Sequence, residues 1–244
     1  MKERQEKNID NLTAVWELVG NTFHALESRD FLNRCQIGSA EWPNRIWFSN
    51  NVNEEILSRA SQVIKNIPVL PTLSYWSDFQ NKEGDLLFEA FGFKIKSQQI
   101  GMSLAHLQKI NHHNRITLAK ISTEKQAAEW QVIYPMSFGY RIPAAIIKKT
   151  NHLINYYLVH YGDSIIGTVF TYPTQNTLGI HGLGIVPEFR KQGFAEEVMA
   201  NLINQAIDEN ISLITLQSSP MGKAIYLRMG FSEDFIMTNY ILKQ

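Results

Sequence analysis

Residues 179–195, GIHGLGIVPEFRKQGFA, decide the fold of this chain. An apolar run ends at Pro187, and a basic turn containing Gly193 follows it. Behind the turn, apolar side chains recur at helical spacing, namely Ala195, Val198, Met199, Leu202, Ile203, Ala206 and Ile207. Periodicity of this kind predicts a strand, a turn and a helix in direct succession.

The predicted turn suits a pyrophosphate group. The first N–H groups of a helix have no intrahelical partner, and the helix dipole is positive there. Gly193 lets the backbone approach a ligand closely, while Arg190 and Lys191 add positive charge. The stretch lacks both the G-x-x-x-x-G-K-[ST] pattern of a P-loop and the G-x-G-x-x-G pattern of a dinucleotide-binding fold.

The turn resembles the acyl-CoA signature of the GNAT N-acetyltransferase superfamily, R/Q-x-x-G-x-G/A. Here it reads Arg190-Lys191-Gln192-Gly193-Phe194-Ala195 and follows a strand ending in Ile185-Val186-Pro187. Residues 218–231 are similar to a second family segment, because they contain Tyr226 followed by Gly230-Phe231. Two motifs in this order identify residues 114–244 as a GNAT domain, with an α/β fold around a mixed sheet.

The resemblance implies acetyl-CoA as acyl donor and a set of residues that hold it. Main-chain N–H groups of Leu183 and Ile185 are expected to bind the pantetheine and the thioester oxygen. The pyrophosphate is expected at Arg190, Lys191, Gln192, Gly193, Phe194 and Ala195, and a further coenzyme contact at Ser219.

Two side chains are candidates for proton transfer in the implied reaction. Tyr226 stands where the family places a donor to the coenzyme sulfur. His181 lies near a position where some members carry a glutamate base, and an imidazole of ordinary pKa could take that part. The alternative is proton release through water. Phe138, Tyr140 and Arg141 are expected to border the acceptor amine.

The first half resembles a degenerate copy of the same domain, residues 1–110. Residues 87–104 align with residues 225–242 without a gap, which places Phe88 on Tyr226. The segment Asn50-Asn51-Val52-Asn53 has no glycine or arginine for a phosphate turn, and Phe88 has no hydroxyl. We expect a scaffold or one side of the substrate cleft, with an unrelated helical subdomain as the alternative. Residues 108–115 are the predicted linker.

Local patterns predict further elements. Helices are expected at 10–29 and 53–66, and Thr123 with Gln126 fits a capping box. A β-hairpin is expected over 154–161 and 164–172. Residues 69–73 are expected to form an edge or irregular strand because Pro71 lies within them.

Composition excludes several classes. Lys+Arg and Asp+Glu are both 23, so no global charge favours nucleic acid or an anionic membrane. No apolar stretch suggests a signal peptide or a membrane span. The single cysteine, Cys35, excludes an intramolecular disulfide and favours a reducing, cytoplasmic setting. We expect Cys35 to be a buried packing residue and His112-His113 to be a solvated pair rather than a metal site.

The leading hypothesis is an acyl-CoA-dependent N-acyltransferase that acts on an amine of a small molecule, peptide or protein. The alternative is a non-catalytic acyl-CoA-binding sensor or regulatory module. A third hypothesis is a tandem assembly whose first half binds protein. Loops decide specificity on such folds, so the sequence leaves the acceptor, the acyl chain and a homodimer open.

Overall fold

The computed structural model describes residues 2–29, 31–49, 52–79 and 82–243, apart from the side chains of Lys82 and Glu83. The helices are α1 (Lys2–Thr22), α2 (Glu54–Lys65), α3 (Lys82–Ala90), α4 (Glu124–Ile133), α5 (Pro135–Phe138), α6 (Ala144–Thr150), α7 (Phe194–Asp208) and α8 (Lys223–Arg228). The strands are β1 (Leu26–Ser28), β2 (Leu32–Cys35), β3 (Arg45–Phe48), β4 (Thr72–Ser77), β5 (Phe93–Ala105), β6 (Ile116–Lys120), β7 (Asn155–Tyr161), β8 (Ser164–Thr174), β9 (Thr177–Ile185), β10 (Leu213–Ser218) and β11 (Ser232–Leu242).

The described strands form one mixed sheet in the order β1-β2-β3-β4-β11-β5-β10-β9-β8-β7-β6. The pairs β3–β4 and β9–β10 are parallel, and the other neighbours are antiparallel. The sheet confirms the predicted α/β class with a mixed sheet.

The two halves exchange their last strands. β5 belongs to the first half, yet it lies between β10 and β11 of the second half. β11 in turn lies between β4 and β5 of the first half. The alignment that places Phe88 on Tyr226 also places Gln99 on Met237, and these two residues pair directly. An approximate two-fold axis therefore relates the halves at this pair, which agrees with the predicted duplication.

Several predicted elements are confirmed by local hydrogen bonds. Thr123 and Gln126 form the reciprocal capping box at the start of α4. Asn53 caps α2 by accepting from the N–H of Ile56 at 2.9 Å. β7 and β8 pair as the predicted hairpin. The predicted linker, 108–115, has no regular secondary structure, and the predicted boundary between the halves falls there. Asn50 and Asn51 of the predicted phosphate-turn counterpart lie outside the described residues.

Two predictions of local structure are wrong. The strand near residues 69–73 begins only at Thr72 and lies between β3 and β11, not at an edge, because Pro71 precedes the ladder. The first helix spans Lys2–Thr22 instead of 10–29. Apolar periodicity missed its first turns, which are fixed by the buried amides of Asn8 and Asn11.

Helix α1 joins the two halves. The Asn8 side chain donates to the main-chain oxygen of Met102 on β5 at 3.0 Å, and Asn11 donates to that of Tyr172 on β8 at 2.9 Å. Its apolar face packs into a core shared by α4, α6, β2 and β3, whereas α7 covers a second core and α2 a third. No helix among the described residues is long and apolar enough to cross a membrane.

Candidate active site

The segment between β9 and α7, which we call the phosphate turn (residues 190–195), presents an open helix N-terminus. Gly193 is the N-cap of α7 with φ 82°, in the left-handed region that favours glycine. No side chain caps α7. Among the described residues, no acceptor faces the N–H groups of Phe194, Ala195 or Glu196. These free donors and the helix dipole together favour an anion at this end of α7.

The polar side chains of the phosphate turn lie at the surface. Arg190, Lys191 and Gln192 are exposed, while Phe194 is buried. Nε of Arg190 donates to the main-chain oxygen of Ile185 at 2.9 Å. Arg190 therefore ties the turn to the end of β9, and the ammonium of Lys191 is left at the surface beside the open N–H groups.

Arg115, a residue that we predicted only as linker, braces the phosphate turn. Its Nε donates to the buried carboxylate of Glu197 on α7 at 2.9 Å, and its Nη2 donates to the main-chain oxygen of Gln192 at 3.2 Å. The guanidinium also lies 4.5 Å from the ring centroid of Phe194. Only its place directly before a strand could have drawn attention to it, because a single basic residue in a polar segment carries no periodic signal.

A groove of about 950 Å³ lies beside the phosphate turn. Gly193 and Glu196 of α7 form one wall, and residues 104–113 with Arg228 at the end of α8 form others. Its volume is in the range of small-molecule and cofactor sites. A nucleotide whose pyrophosphate sits on α7 has room here for the rest of the molecule.

The strands β9 and β10 separate beyond their first residues. They pair only from Thr177 opposite Leu213 to Gly179 opposite Thr215. The remainder of β9 runs on without a ladder partner on that side, and a bulge interrupts its pairing with β8 where Gly182 has φ 58°. β9 and β10 therefore splay apart beyond Gly179 and Thr215.

The separated strand exposes main-chain groups toward β10. The N–H of Val186 donates to the main-chain oxygen of Ile166 on β8 at 2.9 Å. Because successive residues of a strand point their N–H groups to opposite sides, the N–H of Ile185 faces the gap. Leu183, two residues before it, is partly buried next to the bulge. The geometry is compatible with the predicted main-chain contacts to the pantetheine arm.

Tyr226 and Ser219 lie across the gap, after β10. Tyr226 is on α8, its ring centroid is 5.7 Å from that of Phe231, and its hydroxyl has no hydrogen-bond partner among the described residues. Burial raises the pKa of Tyr226 to about 12, so the phenol is protonated at neutral pH and can donate. Ser219 Oγ accepts from the N–H of Gly222 at 3.2 Å and so helps to start α8.

His181 is buried on the face of the sheet that α1 covers. Asn11 uses its amide nitrogen to donate to Tyr172, so its oxygen must accept from the Nε2–H of His181 at 3.1 Å. Burial lowers the pKa of His181 to about 4. The imidazole is therefore neutral at pH 7 and a weaker base than an ordinary histidine.

The predicted acceptor-side residues pack against the splayed end of β9. A Cβ at Gly184 would lie 2.7 Å from the Phe138 ring, and one at Gly182 would lie 3.1 Å from the Tyr134 ring. The hydroxyls of Tyr134 and Tyr140 are 2.6 Å apart. Arg141 is exposed and donates its main-chain N–H to Glu41 of the first half at 2.8 Å. Elements of both halves therefore meet at this end of β9.

Two other chemistries find no support among the residues described. Cys35 is fully buried, and burial raises the pKa of its thiol to about 12, which agrees with the predicted packing role. No group of three or more His, Cys, Asp or Glu side chains in the described ranges is placed to hold a metal ion.

Comparisons with known proteins identify the class. The family model described as an acetyltransferase (GNAT) domain matches residues 118–236. No curated protein sequence matches the chain.

Three solved structures share the fold. A GCN5-related N-acetyltransferase from Kribbella flavida is 13% identical, with a TM-score of 0.72, 97% of this chain and 96% of that chain covered. One from Sphaerobacter thermophilus is 13% identical, with a TM-score of 0.63 and 81% and 71% covered. A tandem GNAT protein from the clavulanic acid biosynthesis pathway is 10% identical, with a TM-score of 0.57 and 86% and 77% covered.

The mixed sheet and the order of its elements are those of a GNAT acetyltransferase fold. Residues 118–236 belong to the family of acetyltransferase (GNAT) domains, and the chain shares its fold with the GCN5-related N-acetyltransferase from Kribbella flavida.

Proposed function

We propose that this protein is an N-acetyltransferase that moves the acetyl group of acetyl-CoA directly to an amine. The observation that carries the proposal is the succession, within one strand–turn–helix unit, of a splayed β9 and an uncapped α7 N-terminus at Gly193. The first suits an extended pantetheine arm, and the second suits its pyrophosphate. Acetyl-CoA supplies the acetyl group as a thioester.

The residues around the splay have distinct roles in this proposal. Phe194 and Ala195 offer main-chain N–H groups to the pyrophosphate, and Lys191 adds charge beside them. The N–H groups of Leu183 and Ile185 hold the pantetheine and the thioester oxygen. A donor fixed in advance on an oxygen that gains negative charge lowers the barrier to acyl transfer.

The proposed reaction uses one side chain of this protein, Tyr226, as a proton donor. A C–N bond forms between the acetyl carbon and the neutral amine, and the C–S bond breaks. Tyr226 donates its phenolic proton to the leaving sulfur, and the proton that the amine loses returns to Tyr226 through solvent, which restores the phenol. His181 is buried, neutral and held by Asn11, so we assign it a positioning role rather than that of the base.

The position of the single thiol supports transfer without an acyl-enzyme. Cys35 lies on β2, is fully buried and packs against Gly20 of α1, where a Cβ would lie 2.8 Å from its Sγ. The thiolate required for attack is disfavoured there because burial raises the pKa of Cys35 to about 12.

The test is to incubate the full chain with acetyl-CoA and a panel of amines, and to measure free-thiol release together with the mass of the acetylated product. Release that depends on an amine supports the enzyme. Binding of acetyl-CoA by calorimetry without release for any amine would favour an acyl-CoA sensor instead. Absence of binding would exclude both.

A further inference from the structure

Helix α1 stands over the point where β9 and β10 separate, which we call the fork. The two strands pair last at Gly179 opposite Thr215. If the ladder continued, the next residues opposite each other on the same face would be His181 and Gln217. Each of these two side chains is instead hydrogen-bonded to an asparagine of α1. A helix of the first half therefore holds both strands of the second half where they part.

Asn11 holds the β9 side of the fork. Its Nδ2 donates to the main-chain oxygen of Tyr172 at 2.9 Å and to Oγ1 of Thr174 at 2.8 Å, both on β8. Its Oδ1 accepts from Nε2 of His181 on β9 at 3.1 Å. A Cβ at Gly179 would lie 1.7 Å from this Oδ1, so the amide needs a glycine beneath it. Both N–H groups and the oxygen of the amide are engaged by β8 and β9.

Asn8 holds the β10 side of the fork. It lies three residues earlier, on the same face of α1. Its Nδ2 donates to the main-chain oxygen of Met102 on β5 at 3.0 Å and lies 3.5 Å from that of Leu216 on β10. Its Oδ1 accepts from Nε2 of Gln217 on β10 at 2.6 Å. The amides of Asn8 and Asn11 are fully buried and repeat one hydrogen-bonding arrangement on either side of the fork.

The polarity of these two positions is not needed for packing. Leu12, Val15 and Val19 already give α1 an apolar face that packs into the core. Burying an amide costs free energy unless its donors and acceptors find partners. Apolar side chains at positions 8 and 11 would cover the sheet but would hold neither strand. The two asparagines therefore fix the positions of four strands, β5 and β10 on one side of the fork and β8 and β9 on the other.

The width of the fork matters because the proposed reactive groups lie beyond it on different elements. The N–H of Ile185 is on β9, four residues after His181, or roughly 13 Å further along at about 3.3 Å per residue. Tyr226 is on α8, which follows β10. A rotation of about five degrees at the fork would move Ile185 by about 1 Å, and a misplacement of that size can cost about a hundredfold in rate.

We propose that Asn8 and Asn11 are positioning residues for acyl transfer, because together they set the distance between the N–H groups of β9 and the phenol of Tyr226. The inference rests on the proposed acetyltransferase activity. It gives α1 a function in that activity, although α1 lies outside residues 118–236, which the family model matches.

The first test measures the geometry of the bound thioester and needs no acceptor amine. Acetyl-CoA labelled with ¹³C at the carbonyl is bound to the full chain, and its resonance is compared with that of free acetyl-CoA. N–H donors that polarise the carbonyl move this resonance to higher frequency. Asn8→Leu and Asn11→Leu keep the shape of the side chain but none of its hydrogen bonds, and each should lose about half of the shift or more.

Two further variants separate positioning from general stability. Asn44→Leu is the matched control, because Asn44 is also buried and donates to a main-chain oxygen, that of Leu70, at 3.3 Å. It directly precedes β3, which β4, β11, β5 and β10 separate from β9 in the sheet. It should lower the free energy of unfolding and retain the carbonyl shift. Gly179→Ala removes no polar group but displaces Asn11, so it should reduce the shift as Asn11→Leu does.

Kinetics with any amine that is turned over provide a second measurement. In Asn8→Leu and Asn11→Leu, kcat should fall by about tenfold or more, with CoA affinity within about threefold because the pyrophosphate binds at α7. Gln217→Met removes the β10 side chain that Asn8 holds. Because both residues act on the same contact, the losses of kcat in Asn8→Leu and Gln217→Met should be less than additive in the double variant.

Each outcome decides the proposal. A carbonyl shift that survives in the folded variants of Asn8, Asn11 and Gly179 would overturn it. An equal loss in Asn44→Leu would do so too, because the effect would then reflect general destabilisation. If the leucine variants do not fold, Gly179→Ala and Gln217→Met decide in the same way. A wild-type complex without any carbonyl shift would also contradict the proposal, whereas absence of acetyl-CoA binding by the wild-type protein would reject the acetyltransferase itself.

Discussion

The N-termini of α7 and α2 occupy corresponding places in the two halves, but they differ in what they can bind. Gly193 leaves the first N–H groups of α7 open. At α2, Asn53 adopts an extended backbone and fills the corresponding place with its own side chain. Both helices have two glutamates in the first turn, and those of α7, Glu196 and Glu197, are paired with Arg228 and Arg115. The open N–H groups favour an anion at α7, whereas the Asn53 side chain already accepts from one of the corresponding groups at α2. Two or three residues therefore suffice to close a phosphate site on the same fold.

The helices before the exchanged strands differ in the same way. Tyr226 of α8 keeps a hydroxyl without a described partner. Phe88 of α3 is buried and stacks on Tyr240, with ring centroids 4.1 Å apart and planes 3° from parallel. The position that holds the candidate acid in one half is a core position in the other.

The central strands complete the contrast. β9 continues six residues beyond its last pair with β10. β3 ends at Phe48, one residue after its last pair with β4. The described part of the first half therefore has no long separated strand for a pantetheine arm, although its strand β5 lies between β10 and β11 of the second half.

The largest difference in kcat is expected between substitutions at Tyr226 of α8 and at Phe88 of α3. Tyr226→Phe removes the proposed donor to sulfur and should lower kcat by about a hundredfold, the usual scale for a general acid, with CoA affinity within about twofold. Turnover with the best amine and calorimetry measure the two effects. Phe88→Leu in the other half should lower the melting temperature and leave kcat unchanged. Equal kcat for Tyr226→Phe and wild type would remove the acid from the mechanism.

The phosphate turn should respond to a side chain at its glycine. Gly193→Val forces a β-branched residue into the left-handed region, where strain is about 1–3 kcal/mol, so CoA affinity should fall about thirtyfold. The nearest atom to a Cβ is Nη2 of Arg115 at 3.5 Å, so the cause is backbone strain rather than a clash. Calorimetry measures the affinity. An unchanged affinity would show that the pyrophosphate binds elsewhere.

The contrast also shows which features a sequence can predict. Gly193, Arg190 and Tyr226 belong to short local patterns whose geometry follows from neighbouring residues. The hydrogen bonds of Arg115 and Arg45 reach Glu197 and Asn239, which are 82 and 194 residues away. A charged residue at the start of the apolar strand Arg45–Phe48 was the available signal. The exchange of β5 and β11 is likewise a matter of long-range pairing that no local pattern contains.

The brace behind the phosphate turn should matter for stability as well as for binding. Arg115→Ala leaves the carboxylate of Glu197, 3% exposed, without its cation. Because the Arg115 side chain is itself 38% exposed, we expect a loss of about 2 kcal/mol, below the range for a fully buried pair. Urea unfolding measures it, and calorimetry should show weaker CoA binding. The double variant Arg115→Ala with Glu197→Gln should recover part of the stability. No recovery would mean that the charge of Glu197 is not the cause.

The smallest effect on stability is expected at Asn53, whose side chain caps the N-terminus of α2 in the first half. Asn53→Ala removes the side-chain acceptor for the N–H of Ile56 and should lower the free energy of unfolding by about 1 kcal/mol, the usual value of a helix N-cap. CoA affinity should not change, because β3 has no long separated stretch for a pantetheine arm and the sequence at positions 50–52 includes no basic residue. Asn53→Gly should be less destabilising, since glycine is tolerated at this position. A change in CoA affinity in either variant would mean that α2 takes part in binding, and the division of the two halves into an open and a closed site would be wrong.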